Sequence, residues 1–147
     1  MIELSIATDA EILEVFHNDV IWNAVASDKA PSKEDWEIQR DGEYIACKVN
    51  DVLIGVAVHH DVSGEAQIHF QVLPQYRKYY AKAFLNAFLN YLFDELRYEK
   101  VIAEIPAAYP NVLIFALKNG FSITGMADHT FKKNGIDHAV YEVALER

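Results

Sequence analysis

One cysteine, four prolines and six glycines are the only cross-linking and chain-breaking residues among the 147 of this chain. The lone Cys47 excludes an internal disulfide, and a single cysteine is more often a small buried apolar residue than a nucleophile. So little proline and glycine excludes collagen-like and low-complexity architectures. No apolar run approaches the roughly 18 residues that cross a bilayer, and Met1-Ile2-Glu3 lacks the basic-then-apolar layout of a secretion signal, which predicts a cytoplasmic protein. Basic residues are scarce as well. Thirteen Lys and Arg stand against 22 Asp and Glu, a formal charge of −9. That balance repels phosphate backbones and anionic membranes, so neither nucleic acid nor membrane is expected as a partner. There is no Ser or Cys nucleophile motif, no Walker-type glycine-rich loop and no dinucleotide fingerprint, which removes support from hydrolase and dinucleotide-enzyme readings. His59-His60-Asp61 resembles a fragment of a metal site. Adjacent strand residues point to opposite faces, however, and no spaced ligand completes it, so no metal is expected.

What is present is a chain that is 52% hydrophobic, enough for one compact core. With no internal repeat and no linker, residues 1–147 read as a single domain. Residues 3–7 alternate like a strand, and Thr8 or Asp9 offers a cap to a helix over 10–25 whose apolar positions Ile12, Leu13, Phe16, Val20, Ile21 and Ala24 share one face. Ser32 to Gln39 suggests a second short helix. Tyr44–Val49, Val52–His59 and Ala66–Leu73 read as three antiparallel strands joined by turns at Asn50-Asp51 and Ser63-Gly64. After Pro74 the longest helical stripe runs from Gln75 to Arg97. Lys100–Ile105 is a strand, a helix follows to about Lys118 with Gly120 as its stop, and 121–131 and 138–145 close the fold around Asn134-Gly135. The order β-α-α-β-β-β-α-β-α-β-β implies an α/β (α+β) fold: a mixed, mostly antiparallel seven-stranded sheet with helices on both faces. Its fourth and fifth strands are parallel across the long helix.

Two features can carry chemistry. From Ala66 to Phe93 there is no Asp or Glu, yet Arg77, Lys78 and Lys82 fall inside this gap at the start of the long helix, where the helix dipole also favours an anion. A phosphate-bearing ligand fits there; equally, the three bases can be the solvated face of a buried helix. The strand 66–73 puts Gln67, His69 and Gln71 on one face and Ile68, Phe70 and Val72 on the other. His69 suits a base working near neutrality, and Glu65 is the carboxylate alternative. A plain hydrogen-bonded sheet histidine accounts for His69 as well. Trp22 and Trp36 either line a pocket or pack.

The element order, with Val72-Leu73-Pro74-Gln75-Tyr76-Arg77-Lys78-Tyr79-Tyr80-Ala81-Lys82 and Leu117-Lys118-Asn119-Gly120-Phe121, resembles the GNAT superfamily of acetyl-CoA-dependent N-acetyltransferases over nearly the whole chain. The resemblance implies a fourth and fifth strand that splay apart for the pantetheine arm, and a pyrophosphate resting on backbone amides of the loop that opens the third helix. It makes Val72, Leu73, Arg77, Lys78, Tyr79, Tyr80, Ala81, Lys82 and Asn111 the cofactor-binding set. The chain departs from the family pattern in this loop, where Tyr80 and Lys82 occupy places usually held by small residues. It departs again at Ala116, where many members carry the tyrosine that protonates the leaving thiolate; Tyr109 or Tyr141 is the substitute if the fold brings one near, and otherwise water. The implied reaction is direct transfer to an amine deprotonated by Glu65, His69 or a water between them, with a backbone amide near Val72 or Leu73 polarising the acetyl carbonyl. The acceptor is a small-molecule or protein amine. The competing expectation is a GNAT-like domain with reduced catalysis that acts by binding, similar to small divergent chains found in bacteriophage genomes. A homodimer through the last strand and its hairpin, Phe131 to Leu145, is also expected.

Overall fold

The computed structural model describes residues 1–147. Strand β1 (Ile2–Ile6) is followed by helices α1 (Asp9–Phe16) and α2 (Asp19–Val25), then by strands β2 (Glu43–Val49), β3 (Val52–Val62) and β4 (Glu65–Val72). Helix α3 (Arg77–Asn90) continues into a π-helical turn (Tyr91–Glu95), and β5 (Lys100–Pro106), α4 (Pro110–Lys118), β6 (Ser122–Met126), β7 (Phe131–Lys133), β8 (Ile136–His138) and β9 (Val140–Glu146) complete the chain. Seven strands form one sheet in the order β1-β2-β3-β4-β5-β9-β6. Every pair is antiparallel except β4–β5, as the long helical crossover requires. The expected fold class is the observed one.

Local chemistry explains the boundaries. Thr8 and Glu11 close a reciprocal capping box at the start of α1. Both hairpin turns of the β2-β3-β4 meander take positive φ, at Asn50 (50°) and Asp51 (66°) and at Ser63 (54°) and Gly64 (86°). Three expectations need correction. The helix expected over 10–25 is two helices, because the Asn18 side chain accepts from the Val20 and Ile21 amides and caps a fresh start. The helix expected over 32–39 is one 3-10 turn, Lys33–Asp35, after which Trp36 stacks on Phe16 at 5.5 Å instead of continuing a helix. The strand expected over 121–131 stops at Met126. The hairpin at Asn134-Gly135 joins β7 to β8 as a separate ribbon, held to the α2 end by the Asp28 carboxylate, which accepts from the Asn134 and Gly135 amides, and by Lys133 Nζ donating to the Asn23 and Ala26 carbonyls. It follows that β9 is paired on both sides, by β5 and β6, whereas β1 and β6 of the large sheet and both strands of the β7-β8 ribbon keep an open edge.

Helix α3 lays Phe84, Leu85, Phe88 and Leu89, and then Leu92 of the π turn, across one face of the sheet against Ile45, Cys47, Ile54, Ala57, Ala66, Ile68 and Val72. Helices α1 and α2 cover the other face with Ile12, Val15 and Ile21 against Val56 and Leu73. Burial alone pushes the Cys47 thiol up to about 12, so it is inert packing. Gly55 of β3 leaves no room for a side chain between β4 and α3. A Cβ there would lie 2.3 Å from the Gln71 carbonyl oxygen and 3.1 Å from the Phe84 ring. Gly55→Ala is therefore expected to destabilise by about 3 kcal/mol or more, the upper end of overpacking costs. A urea unfolding midpoint within error of the parent's would show that β3 and β4 separate freely here.

Candidate active site

Strands β4 and β5 pair only at Ala66↔Val101 and Gln67↔Ile102, and from Ile68 onward the side of β4 that faces β5 has no ladder. Backbone alternation then decides which groups line this gap. The Leu73 amide donates to the Ile54 carbonyl at 2.8 Å, so Leu73 addresses β3. Val72, one residue earlier, turns its N–H and C=O toward the gap. Its carbonyl accepts from Arg77 Nε at 3.0 Å, which fixes that guanidinium at the mouth of the gap. Of the two amides expected to polarise a carbonyl, Leu73's is committed and Val72's faces the opening.

On the face opposite α3, the alternation read from the sequence holds: His69 stands with Gln67 and Gln71, away from Ile68, Phe70 and Val72. His69 is exposed to solvent, although protein atoms lie close around it. Burial and the neighbouring His60 ring, 5.7 Å away, hold His69 below the usual histidine range, with Asp41 opposing weakly. His60 Nδ1 lies 3.3 Å from the Asp41 carbonyl and 3.7 Å from its carboxylate. Extending the β4–β5 register by two residues would set His69 opposite Glu104, but the ladder has ended by then, and the charges that act on His69 are those of His60 and Asp41. Glu104 is paired with His129 at 3.3 Å. Residue-by-residue reading missed Glu104 and His129 and weighed His60 only as a metal-site fragment. Glu104 alone had a signal, its alternation with Ile102.

The other candidates fall elsewhere. Glu65 sits at the closed end of β4, 3.3 Å from Lys100 Nζ, about 13 Å from His69 along the strand, too far for one water to bridge them. The Tyr109 hydroxyl donates to the Ala24 carbonyl at 2.6 Å and its ring meets Phe131 at 5.9 Å, so it ties α2 to α4; burial raises its pKa. Ala116 is buried in the core, and Asn111 is exposed in the first turn of α4. Trp22 and Trp36 pack on each other at 6.2 Å.

The expected pyrophosphate loop is absent as a loop. A 3-10 turn, Pro74–Tyr76, runs directly into α3, so Arg77 to Lys82 are helical. The segment has no glycine to leave the helix, and Arg, Lys and Ala favour it. Arg77, Lys78, Tyr79 and Lys82 are exposed, with Lys78 and Lys82 one turn apart on one side and Lys78 Nζ 5.8 Å from the Tyr79 ring centre. Tyr80 and Ala81 turn inward onto the core margin, Tyr80 lying 6.3 Å from Tyr76. Three basic side chains with no acid beside them thus crown the helix start in place of glycine-exposed amides.

Residues 3–122 match a sequence model of the acetyltransferase (GNAT) domain. Among solved structures the chain is similar to spermidine N-acetyltransferase from Vibrio cholerae in complex with CoA and spermine (17% identity, TM-score 0.80, covering 99% of this chain and 95% of that one). It is also similar to the spermidine/spermine N-acetyltransferase of the same organism with manganese ions (15%, 0.75, 99% and 92%). A chimera of the Vibrio cholerae and human enzymes aligns at 16% and 0.79, over 99% and 95%. No curated protein matches the sequence. At these identities the solved structures establish the fold.

Since folding depresses the His69 pKa below its ordinary 6.5, the unfolded chain binds the proton more readily. The resulting stability is fully present above about pH 6.5 and is lost as pH falls toward the folded-state value. His69→Gln should flatten the decline of the urea midpoint between about pH 6.5 and 5. Parallel curves for parent and variant would mean that His69 is not desolvated.

Proposed function

The chain belongs to the acetyltransferase (GNAT) domain family, and from that premise we propose that residues 1–147 act as one catalytic unit, transferring an acetyl group from acetyl-CoA to a primary amine of a small molecule or protein. The observation that carries this reading is the gap itself, with His69 and Glu104 on its two strands and the Val72 amide directed into it. Acetyl-CoA, when bound, supplies the activated acetyl carbonyl. The residues present fit it at that end. Where the family places an amide-lined loop, Arg77, Lys78 and Lys82 hold phosphate by charge instead.

On this reading the −9 chain draws in a protonated amine, and the face bearing His69 and Glu104 receives it. His69, kept neutral by its surroundings, accepts the ammonium proton, and the Asp41 carboxylate favours the imidazolium so formed. The Val72 N–H donates to the acetyl oxygen as negative charge develops there. Most of the rate comes from holding amine and carbonyl in line. With Tyr109 committed to Ala24 and Ala116 apolar, water protonates the leaving thiolate. The acceptor class is supported by the amine, spermine, in the similar Vibrio cholerae complex. A homodimer forms through the open β6 edge, where Ile123 and Met126 are exposed. The helix that replaces the loop favours a second reading, a domain that has kept the fold and acts by binding.

Calorimetric titration with acetyl-CoA separates the two. Micromolar binding supports transfer, and no binding at millimolar donor leaves the binding domain. Arg77→Ala and Lys78→Ala should each weaken CoA about two- to fivefold at low salt and less at high salt; unchanged affinity in both removes the phosphate from the α3 start. His69→Gln should lower kcat by about a hundredfold and abolish the rise of rate toward neutral pH. An unaltered profile would move the base to Glu104 or water.

A further inference from the structure

Asn-Gly is the pair at which a polypeptide most readily attacks itself, because glycine has no Cβ to hinder the approach of its amide nitrogen to the preceding side chain. The pair occurs twice here, at Asn119-Gly120 and at Asn134-Gly135, and the fold treats the two differently. At the first, Asn119 Nδ2 donates to the Phe115 carbonyl at 2.8 Å and the Gly120 amide to the Leu117 carbonyl at 3.2 Å. Both reacting groups are thus held by the last turn of α4. The second pair forms the tip of the β7-β8 ribbon, with both residues exposed and at positive φ (54° and 77°), and a Cβ at 135 would meet nothing within 4 Å. There the side chain stands in solvent and only the backbone is held.

What holds it comes from a distant part of the chain. Asp28, in the segment after α2, accepts the Gly135 amide on Oδ2 at 2.8 Å and the Asn134 amide on Oδ1 at 2.9 Å, while its own amide donates to the Lys132 carbonyl at 2.9 Å. The Gly135 and Asn134 amides keep the Asp28 carboxyl below the usual carboxylate range, so the acceptor is an anion. That contact bears directly on the chemistry. Self-modification requires the Gly135 amide to lose its proton, and a carboxylate both covers that proton and disfavours negative charge on the nitrogen behind it. When the contact opens, the Gly135 nitrogen gives its proton to hydroxide and attacks Asn134 Cγ. The N–Cγ bond forms, the Cγ–Nδ2 bond breaks, and the leaving nitrogen takes a proton from water and departs as ammonia, which restores the hydroxide. Water then opens the imide at either carbonyl and leaves aspartate or isoaspartate at 134. The net change consumes water and releases ammonia, with nothing oxidised or reduced.

We propose that Asn134-Gly135 is a self-modification site guarded by Asp28, and that its deamidation is a one-way release of the β7-β8 ribbon from the end of α2. The closed contact preserves the asparagine, and each opening exposes it. Once conversion has occurred the contact is not restored: the aspartate product sets a second carboxylate beside Asp28, and the isoaspartate product lengthens the backbone at the tip. The α2 end is then left to Lys133, on the Asn23 and Ala26 carbonyls, and to Tyr109, on Ala24.

The test incubates the full chain, its Asp28→Ala and Asp28→Asn variants, and a synthetic peptide of residues 130–138 side by side at mildly alkaline pH. Conversion at 134 and at 119 is read from the masses of the proteolytic peptides, with isoaspartate separated from aspartate by chromatography. In the parent, 134 should convert about tenfold or more slowly than in the peptide, the protection expected of a locally closed contact. Asp28→Ala should remove most of that protection and leave 119 unchanged. Asp28 is exposed, and Asp28→Asn keeps its size while removing the charge, so it should also speed conversion at 134. In converted protein the Asp28 amide should exchange with solvent faster than in unconverted protein. Conversion of the parent at the peptide's rate, equal conversion in parent and variants, a rise of the same size at 119, or an unchanged Asp28 amide after conversion overturns the assignment. None of these outcomes depends on whether the chain transfers acetyl groups.

Discussion

The parallel ladder between β4 and β5 ends after two residue pairs, and the candidate site exists because of that termination. Each strand is fully paired on its outer side, β4 to β3 from Glu65 to Val72 and β5 to β9 from Lys100 to Pro106, so the two can diverge without losing those ladders. Divergence leaves backbone groups of β4 without sheet partners, and buried backbone polar groups must be satisfied in some way. The chain meets this at Val72 by bending α3 back so that Arg77 donates to its carbonyl. Beneath the opening, Phe70 packs on Phe84 at 4.6 Å and lies 6.4 Å from Phe115, so aromatic side chains from both α3 and α4 fill the space under the parted strands. The gap is thus a packed feature with a floor.

The same sequence segment that supports the gap also changes how a phosphate is met at its mouth. Glycine-rich loops hold phosphates with backbone amides, which are short-range and little affected by salt; side-chain cations on a helix act over a Debye length and are screened. Replacing loop by helix exchanges one kind of recognition for the other. Arg77 gains a fixed position from Val72, whereas Lys78 and Lys82 project into solvent from the next face. The acid-free stretch from Ala66 to Phe93 is what lets three bases shape the local field of a chain that is otherwise strongly acidic.

Period and turn chemistry made much of this legible in the sequence. The alternation in 66–73 put His69 and Val72 on opposite faces, and the long crossover implied the single parallel pair. The helical stripe from Gln75 onward and the absence of glycine from 76–82 were visible too, and they stood against the loop that the resemblance implied there. Other failures have one cause: a side chain competing with regular backbone. Asn18 takes two amides and splits a helix, Asp28 takes two more and detaches the β7-β8 ribbon, and Trp36 finds Phe16 before a helix can form. The end of the β4–β5 ladder depends on pairing between strands some 35 positions apart, and no local window contains it.

The histidines of both sheet faces rest on the register of β2 against β3. Glu43 pairs with His59 across β2 and β3, which sets both on the α3 face, where the carboxylate binds the imidazole. One position along, Gly42 lies beside His60 on the other face; a Cβ at 42 would fall 2.7 Å from that ring, so only glycine lets His60 lie close enough to stand 5.7 Å from His69. A slip of one residue would exchange the faces, burying His60 under α3 and turning His59 toward the gap. The half-buried His59–Glu43 contact penalises that slip, because breaking it leaves the buried imidazole unpartnered beside the Phe88 ring. The polar pair under α3 therefore helps specify the strand register on which the geometry of the opposite face depends.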